Sequence, residues 1–253
     1  MANVSAPFSS AKSKVNRAKH HIDELQVVVN TFSALDSYEI VMALDQAGER
    51  WPFILPIKPI PDNLPLIIGD VIHNLRSALD HVATEIASRN GEHGRHIMFP
   101  FHEKRKQLVT DAIKITPIEM ALSGAKRLIL DEIQPCSDGN GYMLYAMHTL
   151  DVRDKHKQII IITNFILTGR MVIRVNGEVR LAARSLKFNP DQTTQIAVGP
   201  WCDQAQIEHD YKSSLEICFG EPDAFRGKAV LSILLDLTEN VSNIISRFEE
   251  LLG

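Results

Sequence analysis

The sequence predicts an α+β fold with a helical core of about five to six helices, an N-terminal β-hairpin, a β-rich second half and a closing C-terminal helix. Apolar residues recur at helical spacing through most of the first 157 residues. The period becomes alternating after Gln158 and returns to helical near residue 228. Nothing obvious marks a boundary, so residues 1–253 are predicted to form a single domain.

The N-terminal elements are expected to be one helix and one hairpin. Ser9 or Ser10 is suited to cap a helix that ends near Thr31. Residues 38–45 and 51–58 alternate in a way typical of strands, around a turn at 46–49. Strands are again predicted from residue 158 to about residue 220. Helical periodicity predicts the remaining helices at 66–88, 102–112, 117–132, 141–157 and 228–252.

Composition indicates a soluble cytoplasmic protein. Apolar residues make up 45% and charged residues 23% of the chain, as in ordinary globular proteins. The net charge of -4 argues against a general nucleic-acid coat protein, although it allows a local basic site. Cys136, Cys202 and Cys218 are widely spaced and odd in number, which favours reduced thiols. We expect neither a secretory signal nor a membrane span.

The helix at 66–88 has an unusual polar side. Its apolar positions fall on one arc of a helical wheel, as in any amphipathic helix. Asn, Asp, Ser and His disfavour helix, so their use on the other arc indicates a face that is half-buried, packed on a partner or functional. The polar arc contains Asp70, His73, Asn74, Arg76, Ser77, Asp80, His81 and Thr84.

Arg76 and His81 form an R-x4-H pattern that resembles the signature of HEPN-type ribonucleases. The resemblance implies RNA cleavage without metal or cofactor, at a composite site where two copies of a homo-oligomer meet. By that likeness Arg76 stabilises the phosphate charge and His81 acts as a general acid or base. The wider pattern, GDxxHNLRSALDH with DKH at 154–156, resembles a group of uncharacterised bacterial proteins. The supporting residues are His73, Asn74, Ser77, Asp80, His148, Asp151 and His156.

The same polar residues also allow a non-catalytic interpretation. Arg76 and Asp80 stand one helical turn apart and can form an ion pair, and Ser77 can hydrogen-bond His81 at the same spacing. In that case the face is a structural or interface network. The protein would then be a structural or interaction protein.

The helix at 141–157 is predicted to face this polar side. His148 and Asp151 lie on one of its sides, and because buried charges need partners we expect both to pack towards the earlier helix. Two pairs, Asp70-x-x-His73 and His148-x-x-Asp151, could hold a divalent metal for hydrolysis. A buried hydrogen-bond network explains them as well, and it is the interpretation we adopt, with no metal site.

Four arginines are predicted on one face of a second hairpin, as a candidate anion-binding site. A three-residue connection at 176–178 sorts apolar and charged residues onto opposite faces. It places Arg170 opposite Arg184 and Arg174 opposite Arg180. Like charges across a ladder destabilise it, so something anionic is expected there. Acidic residues of the chain, a partner subunit or a phosphate backbone could supply that charge.

Overall fold

A computed structural model describes residues 6–33, 38–44, 50–56, 61–92, 97–159, 161–175, 178–188, 194–195, 205–209 and 212–253. Within the strands, side chains are described at only a few positions. The predicted turn at 46–49, the Asn176–Gly177 turn and Cys202 lie outside the described residues. Cys136 and Cys218 are buried free thiols.

The helices of the described chain lie close to where apolar periodicity predicts them. The four long ones begin and end within three residues of the predicted bounds. None of the described helices has both the length and the apolar composition that a membrane crossing requires. The helices are α1 (Ser9–Ser33), α2 (Asn63–Ser88), α3 (Arg105–Thr110), α4 (Ala112–Ala121), α5 (Ala125–Arg127), α6 (Tyr142–Asp154) and α7 (Val230–Leu252).

Only part of the predicted helix at 117–132 is regular. Thr116 and Pro117, expected at its start, lie inside α4, and that helix ends before Gly124. Gly124 has φ +87°, a left-handed conformation that glycine adopts without a steric penalty and that breaks the helix. A π-helical turn, Leu128–Ile133, follows α5. Sequence periodicity could not show this break, since Leu128, Ile129 and Ile133 are buried and keep the apolar pattern going.

The strands are described mainly by their backbone pairing. β1 (Tyr38–Leu44) and β2 (Arg50–Pro56) are antiparallel, and β5 (Thr194–Gln195) pairs with β2. In the other group, the long strand β3 (Ile161–Val175) is the common partner of three antiparallel strands. These strands are β3 (Ile161–Val175), β4 (Glu178–Phe188), β6 (Ala205–His209) and β7 (Lys212–Phe219).

The prediction of an α+β fold with a β-rich second half is wrong. Where side chains are described, 67% of residues are helical and 7% lie in strands or bridges. The described body of the molecule is therefore mostly helical, and α6 and α7 both belong to the second half. The alternation of apolar and polar residues from 158 to 220 indicates only that the backbone can pair locally in strands. It cannot show which elements build the core, because burial depends on contacts that are distant in sequence.

α2 is the central helix of the described core. It packs against α1, α4, α6 and α7. Leu75, Leu79, Val82 and Ile86 have no exposed surface, and each such side chain contributes about 1.5–3 kcal/mol on burial. α1 and α6 flank the polar side of α2, so this side is partly covered, with Asn74 and Arg76 buried and Asp70, His73 and Thr84 exposed.

Candidate functional site

The polar side of α2 is divided between its two neighbouring helices. On the α1 side, Nδ1 of His81 lies 2.8 Å from Oγ of Ser10, and Lys14 donates to the amide oxygen of Asn74 over 3.4 Å. On the α6 side lie His73 and Arg76. Residues that are neighbours on a helical wheel thus belong to separate interhelical contacts.

Arg76 is buried and its charge is already used inside the protein. Only 6% of the residue is exposed. Its Nε donates to Nδ1 of His148 over 3.1 Å. Its Nη1 forms an ion pair with Oδ2 of Asp80 at 2.5 Å, although the angles of this contact are not those of a hydrogen bond. The guanidinium carbon sits 4.5 Å above the centre of the Phe101 ring. In this position Arg76 cannot present its guanidinium to a phosphate.

Asp80 and Phe101 extend the Arg76 contacts into one network. Asp80 accepts the backbone N–H of Phe99 over 2.8 Å, which holds residues 97–101 against α2. The Phe101 ring stacks on His148 with a centroid separation of 4.7 Å and an interplanar angle of 11°. The predicted Arg76–Asp80 ion pair is confirmed. This network joins α2, α6 and the 97–101 segment.

Arg76 and His81 do not converge within the chain. Five residues along a helix correspond to a rotation of about 140°, so the two side chains leave α2 in different directions. Arg76 meets α6 and His81 meets α1. The Ser77–His81 hydrogen bond expected from sequence is not formed, because Ser77 lies against His73 and His81 against Ser10.

His73 and Asp151 form a pair across α2 and α6. Nδ1 of His73 lies 2.8 Å from Oδ1 of Asp151. The His73 side chain is 53% exposed, whereas that of Asp151 is 6% exposed. Lys155 donates to the second Asp151 oxygen over 3.0 Å. The prediction that His148 and Asp151 pack towards α2 is confirmed by these contacts and by the Arg76–His148 bond.

The Asp151 contact determines which nitrogen of His73 carries a proton. A carboxylate only accepts hydrogen bonds, so Nδ1 of His73 is the donor, and in the neutral ring Nε2 is an acceptor. Nε2 lies 3.4 Å from the hydroxyl oxygen of Ser77, one turn further along α2. The order of groups is therefore carboxylate, imidazole and hydroxyl, with a half-exposed imidazole in the middle.

A second carboxylate, Asp154, lies near this pair. Burial raises the pKa of Asp154 above its usual value, and the negative charges of Asp151 and Asp70 raise it further, while His73 opposes the shift. A Cβ at Gly69 would come within 2.5 Å of an Asp154 carboxylate oxygen. The absence of a side chain at Gly69 therefore lets the end of α6 approach α2 closely.

No metal centre is formed by the predicted pairs Asp70-x-x-His73 and His148-x-x-Asp151. His73 bonds Asp151, and His148 bonds Arg76. Across the part of the chain that the structure describes, no three His, Cys, Asp or Glu side chains are arranged to hold a metal ion.

An open groove of about 570 Å³ runs along the outer side of α6. Burial and the charge of Glu103 raise the pKa of its tyrosine, Tyr145. Arg153 in the groove is paired with Glu221, while His156 and Lys157 are exposed. The groove thus offers cationic, imidazole and aromatic groups, and neither His73 nor Asp151 is among its lining residues. Its lining consists of Tyr145, His148, Thr149, Val152, Arg153, His156 and Lys157.

The arginine hairpin differs from its predicted register near the turn. Ile173 pairs with Leu181 as expected, but a shift follows and Arg174 lies opposite Val179, not Arg180. A second irregularity falls between Thr168 and Met171. The expected pairs Arg174–Arg180 and Arg170–Arg184 are absent from this register. The side chains of Arg170, Arg180 and Arg184 lie outside the described residues, and Arg174 is half-buried.

Sequence reasoning missed Phe101 and Ser10 as partners of the polar face. Phe101 follows Met98-Phe99-Pro100, and this apolar run was the one available sign that the segment is buried. In comparisons with known proteins, no family model, no curated protein sequence and no solved structure matches this chain. The likeness to HEPN-type ribonucleases therefore stays a prediction that rests on the R-x4-H pattern.

Proposed function

We propose that this protein cleaves RNA without a metal ion, and that its acid–base group is His73 held by Asp151. The observation that carries the proposal is the 2.8 Å contact between a half-exposed imidazole and a buried carboxylate. The carboxylate orients the ring, and exposure leaves Nε2 accessible to a substrate. Imidazole is the side chain best suited to proton transfer near neutral pH.

The surroundings of His73 support an anionic substrate. Lys155, whose side chain is 55% exposed, brings a cation within 3.0 Å of Asp151. The groove on α6 adds His156 and Lys157 for phosphate and Tyr145 for contact with a base. Under this proposal Lys155 takes the phosphate role that the R-x4-H resemblance gives to Arg76. A cytoplasmic location, which the reduced cysteines favour, would give access to RNA.

The proposed reaction is an internal transesterification of RNA. The 2′-hydroxyl gives its proton to Nε2 of His73 while its oxygen bonds phosphorus, and Lys155 stabilises the added negative charge. The bond from phosphorus to the 5′-oxygen breaks, this oxygen takes a proton from water, and the hydroxide so formed receives the proton held by His73. The products are a 2′,3′-cyclic phosphate and a 5′-hydroxyl. The reaction uses residues of one chain, so the homo-oligomer stays a separate prediction.

The contacts of Arg76 favour a second candidate, a non-catalytic structural or interaction protein. Its ion pair, hydrogen bond and ring contact all act to hold α2, α6 and the 97–101 segment together. On this view the His73–Asp151 pair only adds to that packing. The two candidates differ in one property: catalysis requires the exposed Nε2 of His73, and packing does not.

The test is cleavage of a panel of fluorescently labelled RNAs in EDTA by the wild-type protein and by matched histidine variants. His73→Ala and Asp151→Asn remove the base and the group that orients it. His81→Ala removes the imidazole of the R-x4-H pattern, and His20→Ala is the control, since His20 is exposed on α1 and bonds a backbone carbonyl. Circular dichroism confirms that each variant is folded.

We expect His73→Ala to lower the rate at least about 100-fold, which is the usual contribution of a general base. His81→Ala and His20→Ala should cleave at the wild-type rate. Loss of cleavage in EDTA, or full activity in folded His73→Ala, would contradict the proposal. A wild-type protein that is inactive on every RNA, with lower melting temperatures in the variants of Arg76 and Asp80, would favour the structural candidate.

A further inference from the structure

We infer that the hydroxyl of Ser77 is a nucleophile activated by His73, and that the same surface transfers acyl groups from small carboxylic esters. The inference uses the His73–Asp151 pair but does not depend on RNA cleavage. It begins with the chain of contacts from Asp151 to Nδ1 of His73, and from Nε2 of His73 to Oγ of Ser77. A nucleophile, a base and a group that orients the base stand in the order that acyl transfer requires.

Ser77 is oriented differently from four other serines in the described helices, although Ser10 at the start of α1 also contacts an imidazole. A serine inside a helix commonly donates to the carbonyl four residues earlier. Ser13, Ser88, Ser242 and Ser246 each do so, at distances from 2.7 to 3.2 Å. The hydroxyl of Ser77 instead lies 3.4 Å from the imidazole nitrogen of the residue four positions earlier. This spacing is loose, as catalytic hydrogen bonds often are without a substrate.

The imidazole is prepared to take the serine proton. Because Nδ1 donates to Asp151, Nε2 is unprotonated in the neutral ring and faces Oγ of Ser77. Asp151 is buried, and Lys155 donates to its other oxygen. Ser77 itself is half-buried and His73 half-exposed, so a small ester can reach Oγ from the solvent side.

The reaction has two balanced steps. Oγ of Ser77 bonds the carbonyl carbon while its proton passes to Nε2 of His73, and the departing alkoxide takes that proton as its bond to carbon breaks. This leaves an acyl-serine and a free alcohol. Water then bonds the acyl carbon and gives a proton to Nε2, and Oγ of Ser77 leaves with that proton. The products are a carboxylic acid and regenerated serine.

The test is covalent labelling of the whole protein with a small alkyl fluorophosphonate, measured by intact mass and by peptide mapping. Such reagents modify serines that a neighbouring base has activated, with fluoride as the leaving group. The variants are Ser77→Ala, His73→Gln and Asp151→Asn. Ser88→Ala is the matched control, because Ser88 lies on the same helix, is also half-buried and bonds only the carbonyl of Thr84.

We expect a single adduct on Ser77, which Ser77→Ala abolishes and Ser88→Ala leaves unchanged. His73→Gln should slow labelling about 100-fold and should also remove the rise of the labelling rate with pH. If Asp151→Asn unfolds, His73→Gln alone decides the question. No adduct on the wild type, an adduct elsewhere, or equal labelling rates in folded His73→Gln would overturn the inference.

Labelling also separates this inference from RNA cleavage. A protein that cleaves RNA but forms no adduct would retain the acid–base pair and exclude Ser77 as a nucleophile. Labelling of Ser77 in a protein that cleaves no RNA would support acyl transfer and contradict the ribonuclease proposal.

Discussion

Replacing Arg76 by Met tests whether this arginine holds the structure together. Met keeps the apolar stem but removes the guanidinium, and so leaves the Asp80 carboxylate without a counter-charge. Removing one partner of a fully buried ion pair costs about 3–5 kcal/mol. Because the Asp80 side chain is 30% exposed, we expect about half of that cost, about 1.5–2.5 kcal/mol. The lost bond to His148 and the lost Phe101 contact contribute about 1 kcal/mol each. We expect a total loss of about 3.5–4.5 kcal/mol.

The double variant Arg76→Met/Asp80→Asn isolates the charge effect. The asparagine introduced in place of Asp80 would retain an oxygen to accept the Phe99 N–H but would carry no charge that needs compensation. We therefore expect the double variant to lose about 2 kcal/mol, less than Arg76→Met alone. Urea unfolding followed by circular dichroism gives each free energy of unfolding by linear extrapolation.

Arg89→Met is the matched control, since Arg89, directly after the last residue of α2, forms an exposed pair with Glu85 at the same spacing. It should change the free energy of unfolding by less than about 1 kcal/mol. The reasoning is refuted if Arg76→Met costs no more than Arg89→Met. It is also refuted if the double variant loses the full sum of its two single variants. Either result would mean that the guanidinium is free for another role.

Two further predictions concern titratable groups. Folding raises the pKa of the Asp154 carboxyl above its usual value of about 3.8, so the folded chain binds the carboxyl proton more tightly than the unfolded chain. The free energy of unfolding therefore decreases as the pH rises above about 3.8. Asp154→Asn should therefore stabilise the protein at pH 7 and have no effect at pH 3; unfolding free energies that show the same difference at both pH values would contradict this. Burial and the contact with Asp138 raise the pKa of the Cys136 thiol, so in a Cys202→Ser variant we expect thiol reagents to react only as fast as the chain unfolds. A chromogenic thiol reagent that reacts rapidly with the native protein, measured by absorbance, would contradict this prediction.

The spacing of residues along single helices predicted two features of the site, an ion pair within α2 and the inward packing of a charged residue of α6. The Arg76–Asp80 pair follows from i, i+4 geometry, and the inward packing of Asp151 follows from the apolar residues around it. The roles of His73 and Phe101 could not be predicted in this way. They depend on which helix or segment lies against each side of α2, and a helical wheel does not contain that information.

The same limit explains the errors in the fold. Alternating residues from 158 to 220 show how a backbone can pair, but the fold class depends on which side chains fill the core. In the described core, β7 contributes Ile217 and Phe219, whereas α2 alone contributes many more residues. The shift beside Arg174 gives the Arg174–Val179 pairing that a two-residue connection would produce, and the three-residue connection was preferred because it sorts charged and apolar residues onto opposite faces.

The position of His73 and Ser77 on successive turns of one helix has a consequence for heating. Their backbone separation is fixed by the helical rise, about 6 Å over four residues, and does not change while α2 stays intact. Asp151 and Lys155, by contrast, belong to α6 or its end, so a small sliding of one helix past the other separates only the carboxylate from the ring. Warming should therefore first release the imidazole from the carboxylate and let it rotate, while the backbone positions of His73 and Ser77 keep their separation.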